Sequence, residues 1–237
     1  MCGRYSLTTP VESLRGLFGF DERPNLAPRY NIAPTQAVAV VRPALEAGGR
    51  RLVMLRWGLV PSWAKDSSIG SRMINARAET VAEKPAFRTA FRRRRCLVLA
   101  DGFYEWKKSG DGPKQPWRIT SADATAFAFA GLWEHWDSPD GETVETCAIV
   151  TTDAAPAIGH IHPRMPVILQ PGDLEGWLSG DPADADALLH PYGGALEAYP
   201  VSRRINSVRN DDAALIEPVS PADASEAPEK PAQGTLF

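Results

Sequence analysis

Apolar positions along this chain fall in short runs and alternations more often than at helical intervals, which points to a β-rich protein. Two such runs, at 37–41 and 52–57, flank the turn signal Gly48-Gly49 and predict a hairpin or two consecutive strands. The continuous apolar run at 96–100 predicts a buried strand, and an Asp101-Gly102 turn leads from it into a second strand at 103–107. The turn residues Ser109-Gly110-Asp111-Gly112-Pro113 then connect to a strand at 117–120. Further strands are predicted at 126–133 and 146–152, after a polar turn within 161–169, and at 199–202.

Helical spacing is confined to a few stretches. Leu14, Leu17 and Phe18 follow Thr9-Pro10-Val11-Glu12, which has the spacing of a capping box with proline at the first helical position. Helical patterns also cover 87–93, 173–178 and 183–189. Residues 21–35, punctuated by Pro24, Pro28 and Pro34, read as ordered coil, in which Asn31 can bond backbone and Pro34 stiffens a turn. The expected fold is α+β: one domain over 1–217, mostly antiparallel strands with peripheral helices. From Pro218 the chain turns to Pro, Ala, Ser and Glu, so 218–237 is expected to be a disordered acidic tail.

Composition narrows the function classes. At 43% hydrophobic and 23% charged residues, the 237-residue chain has the balance of a soluble globular protein with a sizeable core. No apolar run approaches the roughly 18 residues of a membrane span, and no basic-then-apolar leader is present, so a cytoplasmic protein without membrane association is expected. Cys2, Cys96 and Cys147 are odd in number and widely spaced, and His135, His160, His162 and His190 fall outside zinc spacings. Neither a disulfide framework nor a metal or other cofactor is expected, and Cys96 and Cys147 read as core thiols.

The net charge of −3 conceals an asymmetry. Residues 50–118 hold 16 Lys and Arg against 6 Asp and Glu, whereas 211–237 hold one Lys against six acids. A basic middle is the footprint of a phosphate-bearing partner, while a solvated helix face accounts equally well for Arg92-Arg93-Arg94-Arg95. In the loop Trp57-Gly58-Leu59-Val60-Pro61-Ser62-Trp63, Trp57 reads as core and Trp63 as either core or a stacking surface.

Candidate chemistry begins at Met1-Cys2-Gly3-Arg4. Removal of Met1 would leave an α-amine and a thiol on adjacent carbons, a pair that condenses with an aldehyde and closes a thiazolidine. Glu105, between Tyr104 and Trp106, reads either as an exposed acid at a strand end or as a desolvated carboxylate tuned for proton transfer. His162, with His160, Arg164 and two prolines at a loop-to-strand boundary, is a further candidate.

These stretches together resemble the SRAP (SOS response-associated peptidase) family. The match rests on Cys2-Gly3-Arg4-Tyr5, Tyr30-Asn31-Ile32-Ala33-Pro34, Trp57-Gly58 with Trp63, and Ile74-Asn75-Ala76-Arg77-Ala78-Glu79-Thr80. It continues through Asp101-Gly102-Phe103-Tyr104-Glu105-Trp106, His162-Pro163-Arg164-Met165-Pro166 and Pro200-Val201-Ser202, in family order over roughly 1–217. The resemblance implies a barrel-like fold and a bacterial, nucleoid-associated protein that senses abasic sites in single-stranded DNA and links to them through Cys2. It implies that Asn75 orients the cysteine and sugar, that Glu105 shuttles protons, and that His162 assists proton transfer, with His160 structural or at the surface. Gly3, Arg4, Pro34, Trp63, Arg77 and Trp106 are the implied DNA contacts, with Thr151 a weaker one. The terminal Gln233-Gly234-Thr235-Leu236-Phe237 resembles peptides that dock on the replication sliding clamp through Gln233, Leu236 and Phe237. Two other readings stand beside covalent capture: a thiol (auto)peptidase using Cys2, and a non-covalent binder of single-stranded nucleic acid.

Overall fold

Strand pairing divides the chain into two sheets, seen in a computed structural model that describes residues 2–44, 48–108, 112–138 and 140–220. In chain order the strands are β1 (Tyr5–Leu7), β2 (Arg29–Ile32), β3 (Ala37–Pro43), β4 (Arg50–Trp57), β5 (Asn75–Arg77), β6 (Arg95–Ala100) and β7 (Gly102–Lys107). They continue as β8 (Gln115–Ser121), β9 (Phe127–Asp137), β10 (Thr143–Asp153), β11 (Arg164–Pro166), β12 (Ile168–Leu169) and β13 (Leu196–Pro200). Among the described residues four short α-helices, α1 (Val11–Phe18), α2 (Arg88–Arg93), α3 (Leu174–Ser179) and α4 (Pro182–Ala187), lie at the periphery.

The larger sheet closes on itself. β10 pairs with β4, β4 with β3, β3 with β6, β6 with β9, and β9 returns to β10, which makes a five-stranded barrel. Closure removes the exposed edges that an open sheet would present. All of these pairings are antiparallel except β4 with β10. β6 is buried at every position, because one face lines the barrel while α2, α3 and β1 pack against the strand. The second sheet runs β13-β8-β7-β1-β2. Tyr5, on β1, links the two layers: its ring meets Trp57 at 5.3 Å and Phe129 at 5.7 Å between centroids, both edge-on.

The α+β, mostly antiparallel barrel with peripheral helices is the expected architecture, and the predicted strands lie where the apolar runs placed them. Three local expectations are corrected. Residues 21–35 are not all coil, since Arg29–Ile32 pairs with β1 as an edge strand. Thr9 does not cap α1: its hydroxyl donates to Asp101 Oδ2 at 3.2 Å, and Pro10 occupies the cap position. The described chain also continues past Pro218, where Val219 N–H donates to Pro200 O at 3.0 Å. The clamp-like residues Gln233, Leu236 and Phe237 lie outside the described residues.

Candidate active site

β1 is three residues long, and Cys2 precedes it, so the position of the cysteine depends on how this strand is anchored. Tyr104 N–H donates to Arg4 O at 3.0 Å, and Asp101 N–H to Ser6 O at 2.9 Å, which ties β1 to β7 and to the turn before it. The buried Asp101 carboxylate then gathers the residues around β1. It accepts from Ser6 Oγ (2.7 Å), the Thr8 N–H, Thr8 Oγ1 (2.8 Å) and Thr9 N–H (3.0 Å), and faces Arg118 Nη2 at 3.4 Å. Gly102 allows this approach: a Cβ there would lie 2.8 Å from Arg118 Nε and Nη2. Locally the sequence marks Asp101 only as a turn residue, because Ser6, Thr8 and Thr9 lie more than ninety residues earlier in the chain.

Cys2 is fully buried. Asn75 Nδ2 donates to Cys2 O at 2.7 Å, and Asn75 itself is fixed by the parallel pairing of β5 with β10, opposite Ile149. Asn75 Oδ1 is buried with no hydrogen-bond partner among the described residues. A buried acceptor left in this way costs about 1–3 kcal/mol, a cost that a bound donor would offset. Burial, reinforced by the negative charge of Glu105, pushes the Cys2 thiol far above its ordinary pKa, so it is protonated at neutral pH.

Glu105 lies on β7 and is 3% exposed. Burial raises its pKa above that of an exposed glutamate, and the positive charges of the N-terminus and His162 oppose the shift. Of the two readings from sequence, the desolvated carboxylate is the one observed. Glu105 Oε2 stands 3.9 Å from His162 Nδ1. That nitrogen has a backbone partner in either protonation state: it accepts from Arg164 N–H at 3.1 Å or donates to Arg164 O at 3.0 Å. Arg164 is held in turn by Glu79 and by Asp153 at 3.0 Å.

Cys2, Asn75, Glu105 and His162 therefore converge from the chain start, β5, β7 and the turn before β11. Arg77 is exposed two residues beyond Asn75, opposite Thr151 in the β5–β10 ladder. Thr151 has no accessible surface, and its hydroxyl donates to Ala76 O at 3.4 Å, so it supports β5 from beneath. Trp63 is 58% exposed, whereas Trp57 is buried and donates through Nε1 to Ile74 O at 2.9 Å. Gly3 and Pro34 are half-buried, and Pro34 precedes Thr35, whose φ of 71° is unusual for a β-branched residue. Trp106, half-buried, donates to Asn206 Oδ1 at 2.8 Å. Arg4 donates to Asn31 and to the carbonyls of Ile205 and Asn206. His160 is exposed and its ring stands edge-on to Trp117 at 6.1 Å. Among the described residues no group of three His, Cys, Asp or Glu is placed to hold a metal ion.

A family model described as SOS response associated peptidase (SRAP) matches residues 1–208. The chain is 42% identical over 224 residues to the abasic site processing protein YoqW of Bacillus subtilis (strain 168), covering 92% of this chain and 99% of that protein. It is 30% identical over 286 residues to the abasic site processing protein HMCES of Mus musculus, covering 99% and 80% respectively. A solved crystal structure of a protein from Bacteroides thetaiotaomicron superposes with a TM-score of 0.83 at 25% identity, covering 92% of this chain and 100% of the other. By the family model over most of its length and by its relatives, the chain belongs to the SOS response associated peptidase (SRAP) family.

Proposed function

We propose that this protein captures abasic sites in single-stranded DNA by forming a thiazolidine between the open-chain sugar aldehyde and Cys2, after removal of Met1. The observation that carries the reading is the meeting of a buried Cys2, held at its carbonyl by Asn75, with a Glu105–His162 pair 3.9 Å apart. YoqW and HMCES, abasic site processing proteins by name, support the same substrate class.

The chemistry follows from the groups present. The α-amine, with an ordinary pKa of about 8, is neutral in roughly one molecule in ten at pH 7, and that fraction adds to the aldehyde carbon. Loss of water gives the imine. Cys2 Sγ then bonds to the same carbon while its proton passes to the imine nitrogen, closing the five-membered ring with water as the only product released. Glu105 keeps its proton to higher pH than an exposed glutamate, which suits it to protonate the sugar oxygen during ring opening and the departing hydroxyl during imine formation. His162 relays protons at the same centre, and Asn75 Oδ1 is available to a sugar or amine donor. The raised thiol pKa favours attack by the amine first and weighs against a peptidase mechanism that needs a resident thiolate.

Trp63 and Arg77, both exposed, offer a stacking surface and a phosphate partner for the flanking strand. A single strand or junction is the fitting substrate, because a sugar stacked inside a duplex cannot reach a buried cysteine. The same reading places the protein in the bacterial cytoplasm at the nucleoid. The Gln233 to Phe237 peptide would tether it to the sliding clamp, an idea that fails if a peptide of residues 226–237 does not bind the clamp.

The deciding experiment incubates the protein with a uracil-containing single strand pretreated with uracil glycosylase and resolves the products on a denaturing gel. A heat-stable shifted band with wild type and none with Cys2→Ala is expected. Equal binding by both without a covalent band would leave only non-covalent association.

A further inference from the structure

We infer that Arg4 is a positioning residue: it fastens the amino end of the chain, and with it Cys2, to a clasp formed by residues 203–212. This inference rests on the proposed capture reaction and assigns Arg4 a role other than phosphate contact. Once Met1 is removed only Cys2, Gly3 and Arg4 precede β1, and short terminal segments fray unless they are tied down. Besides the Asn75 and Tyr104 bonds already described, a further tie is the Arg4 guanidinium. Its Nη1 donates to Asn31 Oδ1 at 2.8 Å and to Ile205 O at 2.6 Å, and its Nη2 to Asn206 O at 3.3 Å. No carboxylate pairs with Arg4 among the described residues, so its partners are fixed amide and carbonyl dipoles.

The clasp is itself locked in place. Asn31 is fully buried, and its Nδ2 donates to the carbonyls of Ile205 (3.3 Å), Ser207 (3.0 Å) and Asn210 (2.7 Å). Asp211 returns along the same strand, accepting from Arg29 Nε (2.6 Å), Tyr30 N–H (2.6 Å) and Asn31 N–H (3.0 Å). Ile205 and Leu215 are buried with Tyr104, one residue before Glu105, in a small second core. Trp106, one residue after Glu105, donates to Asn206. The segment therefore touches the strand that carries the acid and the residue that carries the terminus, and Arg4 joins the two.

A phosphate contact and a clasp predict opposite kinetic signatures. Lysine retains the charge that attracts phosphate but lacks the planar fork that reaches three acceptors. Asp211 bears no positive charge for DNA at all. The experiment measures adduct formation on an abasic single strand over a range of DNA and salt concentrations, for wild type, Arg4→Lys, Asp211→Ala and the near-isosteric Asp211→Asn. Hydrogen exchange at the Tyr104 amide is followed in each free protein.

The expected result is a limiting rate at saturating DNA lowered by about tenfold or more in Arg4→Lys and Asp211→Ala, since a displacement of about 1 Å at a reacting centre costs up to about 10²-fold. The half-saturating DNA concentration and the salt dependence stay within about twofold of wild type, and Tyr104 exchanges faster. The inference is overturned if Arg4→Lys weakens half-saturation at an unchanged limiting rate, or if Asp211→Ala and Asp211→Asn both match wild type. Should wild type form no adduct, the capture reading fails, and exchange still decides the clasp: unchanged Tyr104 protection in all variants rejects it.

Discussion

Glu105 Oε2 and His162 Nδ1 face each other at 3.9 Å, one from the middle of a buried strand and the other from the turn before β11. The carboxyl is buried and the imidazole partly exposed, so the pair spans the boundary between the site and solvent. In the proposed capture reaction a proton would enter through His162 and be delivered by Glu105. Replacing Glu105 with glutamine keeps the shape and removes the titration. Adduct formation by Glu105→Gln should be slower by about 10²- to 10⁴-fold, the range of general acid–base catalysis, with unchanged affinity for an undamaged strand. Quenched time courses on denaturing gels, beside binding to the same strand without a lesion, check this.

The burial that tunes Glu105 also has a stability consequence with a definite sign. Its folded pKa is raised above the unfolded value of about 4.3, so between those two values the folded state holds more protons than the unfolded state. Stability attributable to this residue is fully present below the unfolded pKa and is lost as pH rises through the folded one. Glu105→Gln is neutral at every pH and should escape that loss. Urea midpoints of the two proteins should converge at pH 4, and the variant should be the more stable at pH 8. A variant less stable at pH 8 would mean that the ionised carboxylate is the favoured partner of its surroundings.

The barrel was readable in the sequence where strands are buried on both faces, and unreadable where short segments depend on distant partners. The run at 96–100 has no alternation because β6 has no solvent face, and Arg95, the one polar residue in the strand, is buried by donating to backbone carbonyls including Phe91 O at 2.8 Å. β1 has only Tyr5, Ser6 and Leu7, with Ser6 buried on Asp101, too few residues to display a period. β2 is flanked by prolines and carries Asn31, whose burial makes sense only beside the carbonyls of 205–210. At the site, aromatic neighbours exposed the desolvation of Glu105. Asn75 carried no such local signal, and its link to Cys2 came through family resemblance alone.

Asp101 is the test of that long-range logic. Asp101→Ala removes the acceptor of Ser6, Thr8 and Thr9 and leaves the 8%-exposed Arg118 without its carboxylate. Breaking a buried ion pair from one side costs about 3–5 kcal/mol, so the variant should lose that much in a urea titration. Because Asp101 tethers Ser6, Thr8 and Thr9, and so anchors β1 behind Cys2, the fraction that remains folded should also form adduct more slowly.

Two indoles six residues apart separate fold from recognition. Trp57 has no accessible surface, packs edge-on against Tyr5 at 5.3 Å and donates to Ile74 O, all within the core. Trp63 stands 58% exposed on a loop whose backbone is held at Ala64 O by Trp136 Nε1 at 2.7 Å. A ring left in water on an anchored loop contributes little to folding and is free to stack on a base. Trp63→Ala should therefore change stability by no more than about 0.5 kcal/mol. If Trp63 stacks on the bound strand, affinity for single-stranded DNA should fall by about 1–3 kcal/mol. Trp57→Ala should cost about 3–5 kcal/mol in stability through its cavity. Paired urea titrations and fluorescence anisotropy with a labelled oligonucleotide separate the two effects. Unchanged affinity in Trp63→Ala would move the stacking surface elsewhere, with half-buried Trp106 the next residue to test.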